Sequence, residues 1–178
     1  KDLNGDGKID DYDHCYQQYS TLPEIYYGFS LGADYRNWGI KAHFQGVAHR
    51  SVSTMLASIY HPLYGNDKNV SEHYLENRWT DVTPDARYPR LTTLSNNHNF
   101  QTSSLWMEKG DYLKLRVLEL SYKLPTRFAE KMRMSDCRLF LKGMNLFSID
   151  HVGIMDPEQM DMEYPSSRSY LIGINVLF

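Results

Sequence analysis

The residues with the clearest chemistry lie near the start of the chain, where Asp2, Asn4, Asp6, Asp10 and Asp13 occupy positions 1, 3, 5, 9 and 12 of a loop. Gly7 falls at the sixth position, and Lys8 at the seventh can offer its backbone carbonyl. A hard cation takes roughly six to eight oxygens, and Gly at the sharpest point of the turn lets alternate residues aim inward. Asp2, Asn4, Asp6, Lys8, Asp10 and Asp13 therefore form a candidate calcium site. The competing reading is a polar Asx-rich turn that holds no ion.

Other chemistry is sparse. No Ser, His and Asp, and no two carboxylates, stand in a catalytic arrangement, so no enzyme is expected. Cys15 and Cys137 are far apart, which leaves no disulfide framework and no CxxC metal site. Trp79, Tyr88 and Trp106 could stack on a sugar or a partner protein, although aromatics that merely pack a loop are commoner. Lys41, His43 and Gln45 share one side of a strand pattern and could line a path. Asp156-Pro157-Glu158 reads as a shaped loop.

The elements that must carry these residues are strands. The 178 residues include 19 Lys+Arg and 22 Asp+Glu, a net charge of −3, which excludes a basic nucleic-acid-binding module; no nucleic-acid partner is expected. With 14 Tyr, 7 Phe and 3 Trp the chain is rich in β-formers. Tyr27, Phe29, Leu31, Ala33 and Tyr35 alternate with small or polar residues. After a turn at Arg36-Asn37, so do Trp38, Ile40, Ala42 and Phe44. Residues 112–124 alternate in two registers that slip at Arg116-Val117, which predicts a β-bulge. Pro125 closes that strand, and Thr126 to Met134 suits one or two helical turns capped by Thr126. A strand from Cys137 to Leu146 follows, with bulky apolar residues on both faces. The last, Ser169 to Phe178, has Tyr170, Ile172, Ile174, Val176 and Phe178 on one face.

No run approaches the roughly 18 apolar residues of a membrane helix, but alternating strands of about 10 residues suit a membrane barrel. In a meander the short connections fall on one side and the long segments on the other, as in outer-membrane barrels. The expected division is an outer calcium-like loop at 1–23, a hairpin at 24–49, a long outer segment at 50–111, two strands with a periplasmic turn at 112–146, an outer loop at 147–168 and a terminal strand at 169–178. Five strands cannot close a barrel, for which roughly eight is the minimum. The chain opens without an initiator Met and reads as a cut end, and the remaining wall is expected elsewhere.

Several short motifs then occur in a telling order. The Asp2 to Asp10 loop and Tyr27 to Ala33 precede Trp79, Pro84 to Arg90, Asn96-Asn97 and Ser104 to Trp106. Gly110 to Arg116, Leu120 to Pro125, Arg138 to Phe147 and Asp156 to Glu158 follow. The series resembles the C-terminal part of SusC/RagA-type TonB-dependent outer-membrane transporters across essentially the whole chain. The first loop by itself also resembles dockerin-type and EF-hand loops. The transporter resemblance implies an all-β fold, the last strands of a large antiparallel transmembrane barrel with long extracellular loops, with the plug and TonB box absent here. It implies import of a glycan, a peptide or a similar nutrient across the bacterial outer membrane. The implied partners are a SusD-like surface lipoprotein, the TonB complex acting through the absent parts, outer-membrane lipid, and the barrel-assembly machinery reading Gly173, Val176 and Phe178. Two other readings compete: a secreted calcium-binding β-module attached to a carbohydrate-active protein, which needs a closed core, and a small free-standing barrel, which needs about three more strands.

Overall fold

The computed structural model describes residues 2–16, 19–55, 63, 69–93, 99–159 and 166–178; Asn96-Asn97 lies outside them. Strands β1 (Ile25–Tyr35) and β2 (Trp38–Ala48) form a hairpin closed by Arg36-Asn37. Arg36 adopts φ +54°, and the Asn37 side-chain amide donates to the Lys123 carbonyl at 2.7 Å, which ties this turn to the neighbouring strand. A small antiparallel pair, β3 (Ser51–Ser53) with β4 (Met107–Lys109), and a short helix α1 (Glu72–Asn77) lie in the long segment. The main sheet resumes with β5 (Tyr112–Lys123), turns through helix α2 (Thr126–Lys131) and continues in β6 (Asp136–Asp150) and β7 (Ser169–Leu177). Its order is β1-β2-β5-β6-β7, antiparallel throughout.

Alternation converts directly into two faces. Phe29 pairs with Phe44, Leu31 with Ala42, Ile40 with Leu120, Leu120 with Leu141 and Leu141 with Ile172. The result is a continuous apolar face across all five strands. Among the described residues little covers it: Leu31 is 60% and Ile172 86% exposed. The closed core that a secreted module would need is therefore not what this face forms. A sheet face of this extent calls for an apolar surrounding. No described helix is long and apolar enough to cross a membrane.

The register slip falls where the alternation places it, between Leu115 and Val117, with Arg116 as the extra residue. Opposite it, Asn145 takes φ +53° and Leu146 covers the space above Gly143. Beyond this irregularity β6 keeps pairing, Phe147 with Leu115 and Ile149 with Leu113. The strand thus runs to Asp150 rather than stopping at Leu146, and the loop begins later than 147. The facing of β6 is also settled: Leu139 and Leu141 lie on the apolar face, Phe140 on the other. The room for Phe140 comes from Gly173 directly across, whose Cβ would stand 2.3 Å from its ring. In α2, Thr126 is the first helical residue and Pro125 the cap, with no side-chain capping bond.

At Gly46 a Cβ would stand 2.4 Å from the Tyr112 carbonyl oxygen and 2.5 Å from the Tyr27 ring. Tyr27 lies across this glycine and donates its hydroxyl to the Tyr112 carbonyl at 3.0 Å, so one ring bridges β1 to β5 over β2. Gly46→Val should displace the ring and destabilise the wall by about 1–3 kcal/mol. The measurement is thermal unfolding of the full-length protein in detergent; an unchanged midpoint would show that the ring does not depend on this gap.

Candidate functional site

The N-terminal loop is built by its own polar groups. Asp2 accepts the amides of Gly5 at 2.6 Å and Gly7 at 2.9 Å, and Asn4 and Asp6 close two further Asx turns on the amides of Asp6 and Lys8. Gly5 and Gly7 carry φ +79° and +82°, which is why glycine stands at both places. Asp13, at the end of a 3₁₀ turn (Asp11–Asp13), accepts from Asp10, Leu3 and Asn4. These amides, Asp10 first and Leu3 next, hold its carboxyl below the ordinary aspartate value. Among the described residues no three His, Cys, Asp or Glu side chains converge as a cation cage. In this arrangement the carboxylates of Asp2, Asp6, Asp10 and Asp13 each accept from amides of the loop.

The long segment carries its own apolar nucleus. Tyr74, Tyr88, Phe100 and Trp106 are all buried, with Met55, Val70, Leu91 and Ile154 packed against them. The rings form a stack: Tyr74 to Tyr88 at 4.8 Å, Tyr88 to Trp106 at 6.0 Å and Trp106 to Phe100 at 5.8 Å between centroids. Buried hydroxyl and indole donors need acceptors, and they have them in the carbonyls of Pro89 and Asn99, each at 3.0 Å. Burial, with Tyr88 adding to it, pushes the Tyr74 phenol up to about 12. Of the three aromatic candidates, Tyr88 and Trp106 are thus interior. Trp79 sits at the rim, lining an open cleft of about 300 Å³ with Arg87, Arg90, Asn99 and Leu105. Arg87 pairs with Glu108 and stacks over Tyr88.

On the face opposite the apolar one, Lys41, His43 and Gln45 stand together, across from Glu119, Val117 and Lys114 of β5. His43 shares a hydrogen bond with Ser30 at 2.9 Å, and Glu119 pairs with Lys142 at 3.0 Å. Gln45 accepts from Arg116 at 2.9 Å. A cluster not expected from sequence adjoins it. Lys114, a buried cation, donates to both oxygens of Asp156 at 2.8 Å and to Glu158 at 3.1 Å. Arg116 also pairs with Glu158, to which Tyr112 donates at 2.7 Å. Buried Arg50 reaches the carbonyls of Pro157 at 2.7 Å and Thr21 at 3.0 Å. The Asp156-Pro157-Glu158 turn is therefore clamped onto the polar face of β5, and one arginine joins it to the N-terminal segment.

For Asp156, burial works to raise the carboxyl pKa, but Lys114, Ser166 and the Glu158 amide outweigh it and the net direction is down. Asp13 and Asp156 thus share one sign: a folded value below the unfolded one. Their contribution is complete above the ordinary aspartate pKa of about 3.9 and is lost as pH falls through the lower folded values. Both loops should resist proteolysis above the ordinary aspartate pKa of about 3.9 and yield progressively as pH falls below it, with cleavage at each pH taken relative to an unstructured peptide cut by the same protease; a relative rate that does not change with pH would show that these carboxylates do not hold them.

Of the terminal residues, Gly173 lies under Phe140, Val176 pairs with Cys137 on the apolar face, and Phe178 is exposed just past β7.

No family model matches the chain. It is similar to two curated proteins of Formosa agariphila: TonB-dependent receptor P26, 27% identical over 99% of this chain and 19% of the relative, and TonB-dependent receptor P3, 24% identical over 99% and 18%. The chain spans about a fifth of the length of these relatives. Among solved structures it resembles a chain of the RagAB peptide transporter, with TM-score 0.69 and 26% identity over 90% of this chain and 18% of that one. It likewise resembles a chain of the RagAB peptide importer in its closed-closed state, with TM-score 0.67 and 22% identity.

Proposed function

We infer from one premise, that this chain belongs to the TonB-dependent receptors of the SusC/RagA type, that it forms part of the barrel wall of an outer-membrane nutrient importer. The observation that carries the reading is the five-strand meander with one unbroken apolar face, superimposable on the RagAB transporter over 90% of its length. In such a wall the apolar face meets lipid and the opposite face meets the lumen. Lys41, His43 and Gln45 then line the lumen, and the long segment with its aromatic nucleus lies outside the cell. The cargo in this reading is a glycan or an oligopeptide, and transport is energised through TonB by parts of the protein beyond this chain. A SusD-like surface lipoprotein is the proposed partner above the barrel, with Trp79 as the contact and Tyr88 and Trp106 as its support.

The test uses the full-length protein. Cells carrying it should take up a labelled oligopeptide or glycan only when TonB is present, and the protein should fractionate as a heat-modifiable outer-membrane species that retains a lipoprotein. A water-soluble protein, or uptake independent of TonB, would overturn the reading.

Calcium binding by Asp2, Asn4, Asp6, Lys8, Asp10 and Asp13 is a separate proposal that rests on the spacing of the loop. Calcium should slow proteolysis of residues 2–13, and Asp6→Ala should remove that protection. Full protection in the variant would count against the site. Recognition of Gly173, Val176 and Phe178 by the barrel-assembly machinery stands likewise as a proposal, and deletion of Phe178 from the full-length protein should lower its outer-membrane level.

A further inference from the structure

The connection from β5 to β6 is longer than a hairpin needs, and its helix lies against the apolar face of the sheet. The Leu124 amide donates to the Cys137 carbonyl at 2.8 Å, which continues the β5–β6 ladder by one step beyond the Lys123 and Arg138 pair. Cys137 therefore shares a face with Leu139 and Leu141, the apolar face, and its partner on β7 is Val176. Yet Cys137 is 1% exposed where Leu139 is 44%. Its cover consists of Ala129 and Met134 together with Leu124. The turn thus folds outward, over the lipid-facing side of the wall.

A helix at that place ends the apolar belt, and its own side chains fit such a boundary. Phe128 and Met132, four residues apart and so on one side of the helix, are 63% and 65% exposed. Arg127 and Lys131 form a second such pair on the adjoining side, and Arg133 follows the helix at φ +58°. From Thr126 to Met134 there are three basic residues, Arg127, Lys131 and Arg133, against one acidic residue, Glu130. An apolar edge next to a cationic edge is the arrangement of interfacial helices. The six residues of α2 are too few to be stable alone, so the helix depends on the wall that it covers.

We propose that α2 is a membrane-surface anchor: Phe128 and Met132 enter the acyl boundary of the phospholipid leaflet beside the barrel, and Arg127, Lys131 and Arg133 hold phosphate groups of its lipids. The occupant follows from continuity with the lipid-facing sheet and from charge. The proposal rests on the barrel-wall reading above, and the experiment separates the two.

Single-cysteine variants of the full-length protein, with Cys15→Ser, Cys137→Ala and every cysteine outside this chain replaced by Ser, are labelled with a fluorophore at Phe128→Cys, Glu130→Cys or Leu139→Cys. They are reconstituted into vesicles of phosphatidylethanolamine and phosphatidylglycerol with brominated chains. The labels at 139 and 128 should be quenched and the label at 130 should not. Replacing Arg127, Lys131 and Arg133 by Gln should weaken the preference of the label at 128 for brominated phosphatidylglycerol over brominated phosphatidylcholine by about fivefold per cation at low salt. A label at 128 that stays unquenched while 139 is quenched overturns the anchor and leaves the wall standing. An unquenched label at 139 overturns both, and an unchanged preference in the triple variant overturns the phosphate contact.

Discussion

Lys114→Met in the full-length protein should destabilise the attachment of the Asp156-Pro157-Glu158 turn to β5 by about 3–5 kcal/mol, the usual cost of removing one partner of a buried ion pair. The large figure comes from what stays behind. Lys114 is buried and serves Asp156 and Glu158 together, and Arg116 reaches only the latter. Without the ammonium, Asp156 is a charged group in a poorly solvated place whose attraction to Lys114 no longer outweighs its desolvation. Its pKa must rise, so the penalty should be greatest at neutral pH and shrink as Asp156 becomes protonated. The measurements are proteolysis of residues 151–159 and the thermal midpoint in detergent, each against pH. The double variant Lys114→Met with Asp156→Leu replaces charge by apolar volume and should regain much of the loss. A pH-independent penalty would mean that the lysine acts through packing of its stem alone.

Trp106→Ala should cost about 3–5 kcal/mol as well, but in a different place. The indole is fully buried, stacks between Tyr88 and Phe100 and donates to the Asn99 carbonyl. Thr54 returns both its amide and its hydroxyl to the Trp106 carbonyl, at 2.7 and 3.0 Å, so the backbone beside the ring is fixed too. Because this nucleus is separate from the sheet's two faces but takes Ile154 from the loop that Lys114 clamps, its loss should lower the wall's thermal midpoint far less than Lys114→Met does, while proteolysis rises sharply within residues 69–110 and around Ile154. A fall in the midpoint comparable to that of Lys114→Met would show that loop and wall unfold as one.

The wall was legible because a sheet with two unlike faces writes a period of two into its sequence. The slip at Arg116 could be read because Leu115 and Leu118 cannot share a face without an extra residue between them. β6 was harder for a physical reason: Phe140 sits on the polar face to fill the gap above Gly173, and Asn145 interrupts the alternation before Phe147 and Ile149 resume it. The loop nucleus could not be read, since Tyr74, Tyr88, Phe100 and Trp106 have no common spacing and meet only through the fold. The same holds for Lys114 and Asp156, 42 positions apart. For the Asp-Pro-Glu turn the sequence suggested a shape, and what the turn grips became visible only once β5 lay beneath it. The Asp-rich loop shows the opposite limit: its spacing is plain, but the same side chains that could hold an ion also close the turn unaided.

A loop that carries its own nucleus is free to diversify. Trp79 and Arg90 on its rim lie outside the strands, so substitutions there should leave the sheet's pairing untouched. The wall in turn is constrained by pairing on every strand. Selection can therefore act on the rim of the long segment as a module, altering the surface that it presents without renegotiating how the five-stranded sheet pairs.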